Sequence, residues 1–450
     1  MATTTAASAQ KPESTEPRSA GKRSPVMRFL GVLGPGLISG ASDDDPSGVA
    51  TYAQIGAKFT NGMLWTVPLS LPLMMAVQEI CDRTAIVTGN SLGALVRLKF
   101  GSRARSLIGV LLFALLAANT LNLAADLMAI GEGMQLVHAG PAPLWAAIAG
   151  IAIMAALFFG SFDTIAKIFK WLCLALLAYL VVLVVVHVHW DDVLKGLTGQ
   201  QFRFTPSYLS LVVAVLGTTI SPYMFFWQSS NRIEEMRAEK LDGAKAPPLK
   251  DRTPTEAKRI LRDSRTDVFT GMVFSVVVMF AIIAATGATL GGHGRSIQSA
   301  ADAAKALEPV AGSASTFLFA AGFIGSGILA VPILAASASM GIAGLLGKDW
   351  GLDRSPRKAP AFYGLIAIGM VGGILLSVFA SNPFALLVLS ATVNGIAAGP
   401  FLIVVMLISR DRTLMGRHRN GRLASTLGWA TTGIMSVAGI VGLVFTVTGC

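Results

Sequence analysis

Gly34-Pro35-Gly36-Leu37-Ile38-Ser39-Gly40-Ala41-Ser42-Asp43-Asp44-Asp45-Pro46-Ser47-Gly48 lies inside an apolar run that covers 29–57. The run is long enough to cross a bilayer as a helix, which takes about 20 apolar residues. Its centre is hostile to both the helix and the lipid. Pro46 has no N–H to donate and its ring clashes with the preceding turn, so the helix should break just before it. Three adjacent carboxyl groups cannot face hydrocarbon. Backbone groups freed at mid-membrane also need polar company, so the break must face a cavity inside a helix bundle.

The same device occurs once more. Leu216-Gly217-Thr218-Thr219-Ile220-Ser221-Pro222-Tyr223-Met224 places a proline near the middle of the apolar run 208–230. The prolines of the two stretches, Pro46 and Pro222, are 176 positions apart. Paired discontinuous helices at corresponding places in two halves mark the ion or substrate site of inverted-repeat transporters. The C-terminal end of each first half-helix points negative dipole character and free carbonyls at the gap.

Composition agrees with life in lipid. The chain has 450 residues, 53% hydrophobic and 14% charged, with mean hydropathy +0.64. Soluble domains carry about 25% charged residues. Forty-seven glycines suit membrane helices that approach closely. Cys81, Cys173 and Cys450 are far apart and form no CxxC pair. Residues 1–27 are polar and contain no apolar signal core, which predicts a disordered cytoplasmic tail.

Eleven spans are predicted, at 29–57, 62–80, 106–130, 143–162, 168–188, 208–230, 268–291, 314–345, 361–380, 383–408 and 425–447. With the N-terminus inside, 31 of the 36 Lys and Arg fall in cytoplasmic segments. Only Lys58, Lys195, Arg203, Arg295 and Lys305 fall on the other side. That asymmetry is what membrane topology requires, and it explains the net charge of +11 without nucleic acid. An odd span number places the C-terminus outside. The expectation is a multi-pass plasma membrane protein with transmembrane domain 28–447: repeat one 28–190, repeat two 208–409 and an extra helix 425–447. Ten basic residues lie in 231–267. They set topology, and contact with anionic lipid is the competing reading. Ala244 to Pro254 reads as a mobile linker, and part of 255–265 as an amphipathic surface helix.

An unpaired intramembrane carboxylate must neutralise, pair or bind a cation. No Lys or Arg lies near the centre of either broken span, so Asp45 is read as a cation ligand. The competing role is a cap for a half-helix that starts at Pro46. Asp43 and Asp44 either line the vestibule or ligate. Thr218, Ser221 and Tyr223 offer oxygens from the second break, and oxygen suits hard divalent ions. Gln228 and Asn394 are candidates to line the path. Asn119, Asn122 and Asp126 share one helical face of the third span, where Asp126 relays protons or joins a structural network.

The nearest sequence resemblance is to the NRAMP family of divalent metal transporters, over roughly 28–447. Asp45-Pro46-Ser47-Gly48 is similar to the family's Asp-Pro-Gly-Asn. Ser221-Pro222-Tyr223 is similar to its Met-Pro-His, and Ala125-Asp126-Leu127 to its acidic third-helix segment. The resemblance implies an all-α, LeuT-type fold of two inverted five-helix repeats with discontinuous helices 1 and 6. It also implies alternating-access transport of a divalent cation. Against the family pattern, the Asn ligand falls on Gly48, the Met ligand on Ser221 and the histidines on Tyr223 and Gln228. Losing the thioether should favour harder ions, which points to Mg2+ first and Mn2+ second, as in the NRAMP-related magnesium branch. The cation is substrate, and no cofactor is expected. A transporter of a small organic solute such as an amino acid is the alternative, disfavoured by three acids before Pro46. No nucleophile elbow, HExxH, phosphate loop or paired catalytic carboxylates occur, so an enzyme is not expected.

Overall fold

The computed structural model describes residues 35–160, 188–238, 246–291, 314–379 and 382–448, with a few single positions between 180 and 186. The first broken span is two helices, α1 (Pro35–Asp43) and α2 (Pro46–Phe59). They are followed by α3 (Thr66–Thr88), α4 (Leu92–Lys99), α5 (Ser102–Leu136) and α6 (Ala142–Phe159). A short helix, α7 (Trp190–Leu197), precedes the second broken span, α8 (Pro206–Thr219) and α9 (Pro222–Ala238). Then come α10 (Pro254–Leu290), α11 (Ala314–Leu346), α12 (Pro360–Phe379), α13 (Pro383–Ser409), α14 (Arg412–Met415) and α15 (Arg422–Thr448).

Among the described residues, eight helices are long and apolar enough to cross a membrane, with α8 and α9 taken as one. The α1–α2 pair and α3 supply two more of the predicted spans. α3 is 23 residues long but carries Gln78, Glu79, Asp82 and Arg83, which lowers its hydropathy. The span predicted at 168–188 falls largely outside the described residues, as does the tail 1–27.

Both breaks occur where proline chemistry demands. α1 ends at Asp43 and α2 begins at Pro46, whose fixed φ suits the first helical position. α8 ends at Thr219 and α9 begins at Pro222. Packing follows a two-fold pattern. α1 and α2 lie along α10, α9 lies along α3, α5 packs against α11, and α6 against α12. Exchanging spans 1–5 with 6–10 maps these pairs onto one another, as an inverted repeat requires. Close approach comes from glycine. A β-carbon at Gly40 would sit 2.1 Å from the Gly271 carbonyl oxygen, and one at Gly271 would sit 2.0 Å from the Gly36 carbonyl oxygen.

Two expectations for the segment between α9 and α10 are corrected. The stretch read as a mobile linker is packed at Ala246 and Leu249, which are buried, while Lys250, Asp251, Thr253 and Pro254 are exposed. Gly89, at φ 64, ends α3 so close to this segment that its β-carbon would meet the Ala246 carbonyl at 2.6 Å. Segment 255–265 is not a separate surface helix. It forms the first turns of α10, started by Thr253 and Glu256 in a capping box. The cap fixes the start, and nothing after it interrupts the helix until Leu290.

Candidate functional site

Asp45 stands at the junction of the two breaks and is 1% exposed. It does cap α2. Its Oδ1 accepts from the Gly48 N–H at 2.8 Å and from Ser47 Oγ at 2.6 Å. Its Oδ2 faces the other way. There it accepts from Asn122 Nδ2 of α5 at 3.0 Å and from the Tyr223 hydroxyl of α9 at 3.4 Å. The Tyr223 hydroxyl also lies 3.3 Å from the Ser42 carbonyl oxygen at the open end of α1. One side chain thus spans both broken helices. Capping engages Oδ1, while Oδ2 is turned toward α5 and α9.

Asp43 and Asp44 turn toward α10. Ser275 Oγ lies 3.1 Å from Asp43 Oδ2 and 3.3 Å from Asp44 Oδ1. Asp43 Oδ1 and Asp44 Oδ2 are buried with no hydrogen-bond partner among the described residues, as is the Tyr52 hydroxyl. The three carboxyl groups therefore fan out. Among the described residues, no three His, Cys, Asp or Glu side chains are grouped so that they would hold a metal ion. A cation here must complete its shell with hydroxyl, carbonyl or water oxygens, as magnesium commonly does.

The other predicted residues separate into two groups. Thr218 lies at the site: its Oγ1 is 3.5 Å from Ser47 Oγ, and a β-carbon at Gly48 would stand 3.1 Å from it. Asn122 joins Asp45 to α13, since its Oδ1 lies 2.7 Å from Ser390 Oγ. Asp126 is one turn farther along α5, fully buried, with neither carboxyl oxygen partnered among the described residues. Asn394, one turn beyond Ser390 on α13, also has both amide atoms buried without a described partner. Ser221 does not reach Asp45. Its hydroxyl turns back to the Gly217 and Thr218 carbonyls at 2.7 and 2.9 Å, satisfying the frayed end of α8. Gln228 is drawn elsewhere: it accepts from Ser39 Oγ and donates to Asp82 Oδ1 at 2.9 Å.

Gln228 leads into a second buried cluster that sequence reasoning missed. Arg232 of α9 pairs with Asp82 of α3 at 2.7 Å and Asp267 of α10 at 3.1 Å, and also meets Glu235. Asp267 accepts from the N–H groups of Gly36 at 2.8 Å and Leu37 at 3.2 Å, so it caps α1. Ser264 bonds the remaining oxygen of Asp82. The charges at 82, 232 and 267 were visible in the sequence, each just outside the end of a predicted span, but no spacing rule joins residues 150 positions apart. Ser275, Ser390 and Tyr52 were hidden for the same reason.

A family model described as natural resistance-associated macrophage protein-like matches residues 36–445. The chain belongs to the Nramp family. Among curated Nramp relatives, the divalent metal cation transporter MntH 1 of Pseudomonas aeruginosa is 27% identical over 447 residues, covering 94% of this chain and 93% of that one. The divalent metal cation transporter MntH of Deinococcus radiodurans is 24% identical over 416 residues, covering 90% and 87%. Among solved structures, a manganese transporter from Eremococcus coleocola superposes with TM-score 0.72 at 18% identity, over 94% of this chain and 88% of that one. Mhp1, a nucleobase-cation-symport-1 family transporter in a closed conformation, gives 0.57 at 18% identity, over 92% and 91%. These likenesses establish the LeuT-type fold for this Nramp chain.

Proposed function

We propose that this Nramp protein carries a divalent cation across the plasma membrane by alternating access, with Asp45 as the central ligand. The observation that carries the reading is the carboxylate of Asp45. It is buried where the two broken helices meet, touches side chains of α5 and α9, and makes no ion pair with a Lys or Arg among the described residues. The relatives' names as divalent metal cation transporters support it. Thr218, Tyr223, Asp43 and Asp44 supply further oxygens around the gap, while Ser221 acts through the Thr218 carbonyl it holds. Asn122, Asp126 and Asn394 line the route on the α5 and α13 side. Gln228 belongs to the cytoplasmic cluster instead.

Mg2+ is the favoured cargo, because oxygen donors predominate around the gap and Asp43 Oδ1 and Asp44 Oδ2 are buried without a described partner, and hard cations prefer oxygen ligands. Mn2+ is second: Met224 Sδ lies 3.8 Å from Ser42 Oγ, at the mouth of the gap, and a thioether favours softer ions. The N-terminus is inside and the C-terminus outside, with repeats 28–190 and 208–409 followed by helix 425–447. Transport of an organic solute has no comparable support, since three carboxyl groups repel a carboxylate substrate.

The deciding experiment is flux into proteoliposomes across Mg2+, Mn2+, Ca2+ and Fe2+, with internal pH recorded in parallel. Asp45→Ala should abolish uptake while folded protein persists in detergent. Undiminished metal flux in that variant would remove the basis for the assignment.

A further inference from the structure

A crevice of about 370 Å³ opens where α5 begins and α11 ends. Its two ends differ in chemistry. Ser102, Arg105 and Ser106 line one end, and Gly109, Phe113 and Leu345 continue it along the helices. The polar end lies beside the loops, and the apolar end runs toward the membrane interior.

The polar end carries positive charge without a described counterpart. Arg105 Nε is buried and has no hydrogen-bond partner among the described residues. Gly101, the cap position before α5, offers no side chain to bond the first N–H groups. Such a helix start favours an anion. The Arg97 guanidinium lies against Gly347, where a β-carbon would meet it at 2.5 Å. Lys348 follows, and the neighbouring Asp349 carboxylate is already engaged by Arg354 at 2.7 Å.

The apolar end is shaped for a chain. A β-carbon at Gly109 would meet only Leu345, at 3.5 Å. Glycine therefore leaves a groove beside Phe113, which is 54% exposed. A free phosphate would satisfy the arginine and leave this groove open.

We propose that the crevice holds an anionic phospholipid, with its phosphate at Arg105 and the start of α5 and one acyl chain along Gly109 and Phe113. Arginine is the favoured partner of phosphate because its donors match the oxygens in pairs. Basic pockets between membrane helices on the cytoplasmic side bind acidic headgroups. The site is separate from the ion path and does not depend on which cation is carried.

The test is native mass spectrometry of the detergent-solubilised full chain with added phosphatidylglycerol or phosphatidylcholine. The unaltered protein should retain phosphatidylglycerol preferentially. Arg105→Gln keeps the stem and removes the charge, and should cut that retention about tenfold, to the phosphatidylcholine level. Gly109→Leu fills the groove and should lower retention of both lipids. Soluble glycerol 3-phosphate should not displace the lipid. Equal retention of the two lipids, undiminished retention in Arg105→Gln, or displacement by glycerol 3-phosphate would overturn the proposal. Melting temperature in lipid-free detergent, unchanged in both variants, shows that each folds.

Discussion

Residue 48 shows how tightly the gap is dimensioned. A β-carbon there would sit 3.1 Å from Thr218 Oγ1 and 3.3 Å from the Asp43 carbonyl oxygen. Gly48→Ala should therefore push α2 and α8 apart, at about 1–3 kcal/mol for overpacking. Thr218→Ala removes the atom it strikes and should return part of that loss. A double-mutant cycle on thermal stability measures the coupling, and additive effects would refute the contact. At this scale the sequence was informative about some groups and silent about others. Asp45 announced itself as a carboxylate beside a mid-span proline, and Asn122 as part of a polar stripe. Ser275 could not be found, since a lone serine in an apolar helix gives no sign that two aspartates meet it. Ser221 misled because its position beside Pro222 marks it as facing the gap. A hydroxyl at a frayed helix end instead satisfies the nearest carbonyls, here Gly217 and Thr218.

Between elements, two kinds of contact hold α1 in place. One is steric: α1 and α10 touch through backbone at Gly36, Gly40 and Gly271. Gly271→Ala drives a methyl group into the Gly36 carbonyl, where nothing flexible can yield. Loss of monodisperse protein on size-exclusion chromatography is expected, and full recovery with normal stability would contradict the packing. The other is ionic. Arg232→Met leaves Asp82 and Asp267 buried without their cation, a change that costs about 3–5 kcal/mol. Removing Asp82 and Asp267 as well, as Asn, should recover much of the melting temperature. The helix breaks were legible because proline acts locally. This cluster was not, because it depends on how α3, α9 and α10 are brought together.

Across the molecule, Lys99 at the end of α4 is tied to Asp411 in the loop after α13. The ammonium of Lys99, then the Thr413 hydroxyl, holds the Asp411 carboxyl below the usual carboxylate range. A carboxyl depressed in the folded state adds stability above its unfolded value, near pH 4, and loses it as pH falls through the folded one. Lys99→Gln should therefore lower stability by up to about 1 kcal/mol, equally at pH 6 and pH 8, with the difference vanishing in strong acid. Melting curves at the three acidities check this, and a difference that grows between pH 6 and pH 8 would exclude it. The Arg232 cluster bears on the molecule in another way. Asp267 grips the start of the first broken helix while Arg232, on the second, grips Asp267. Neither half can swing away from α10 without disturbing a carboxylate that the other half also holds, so the two segments form an interlock.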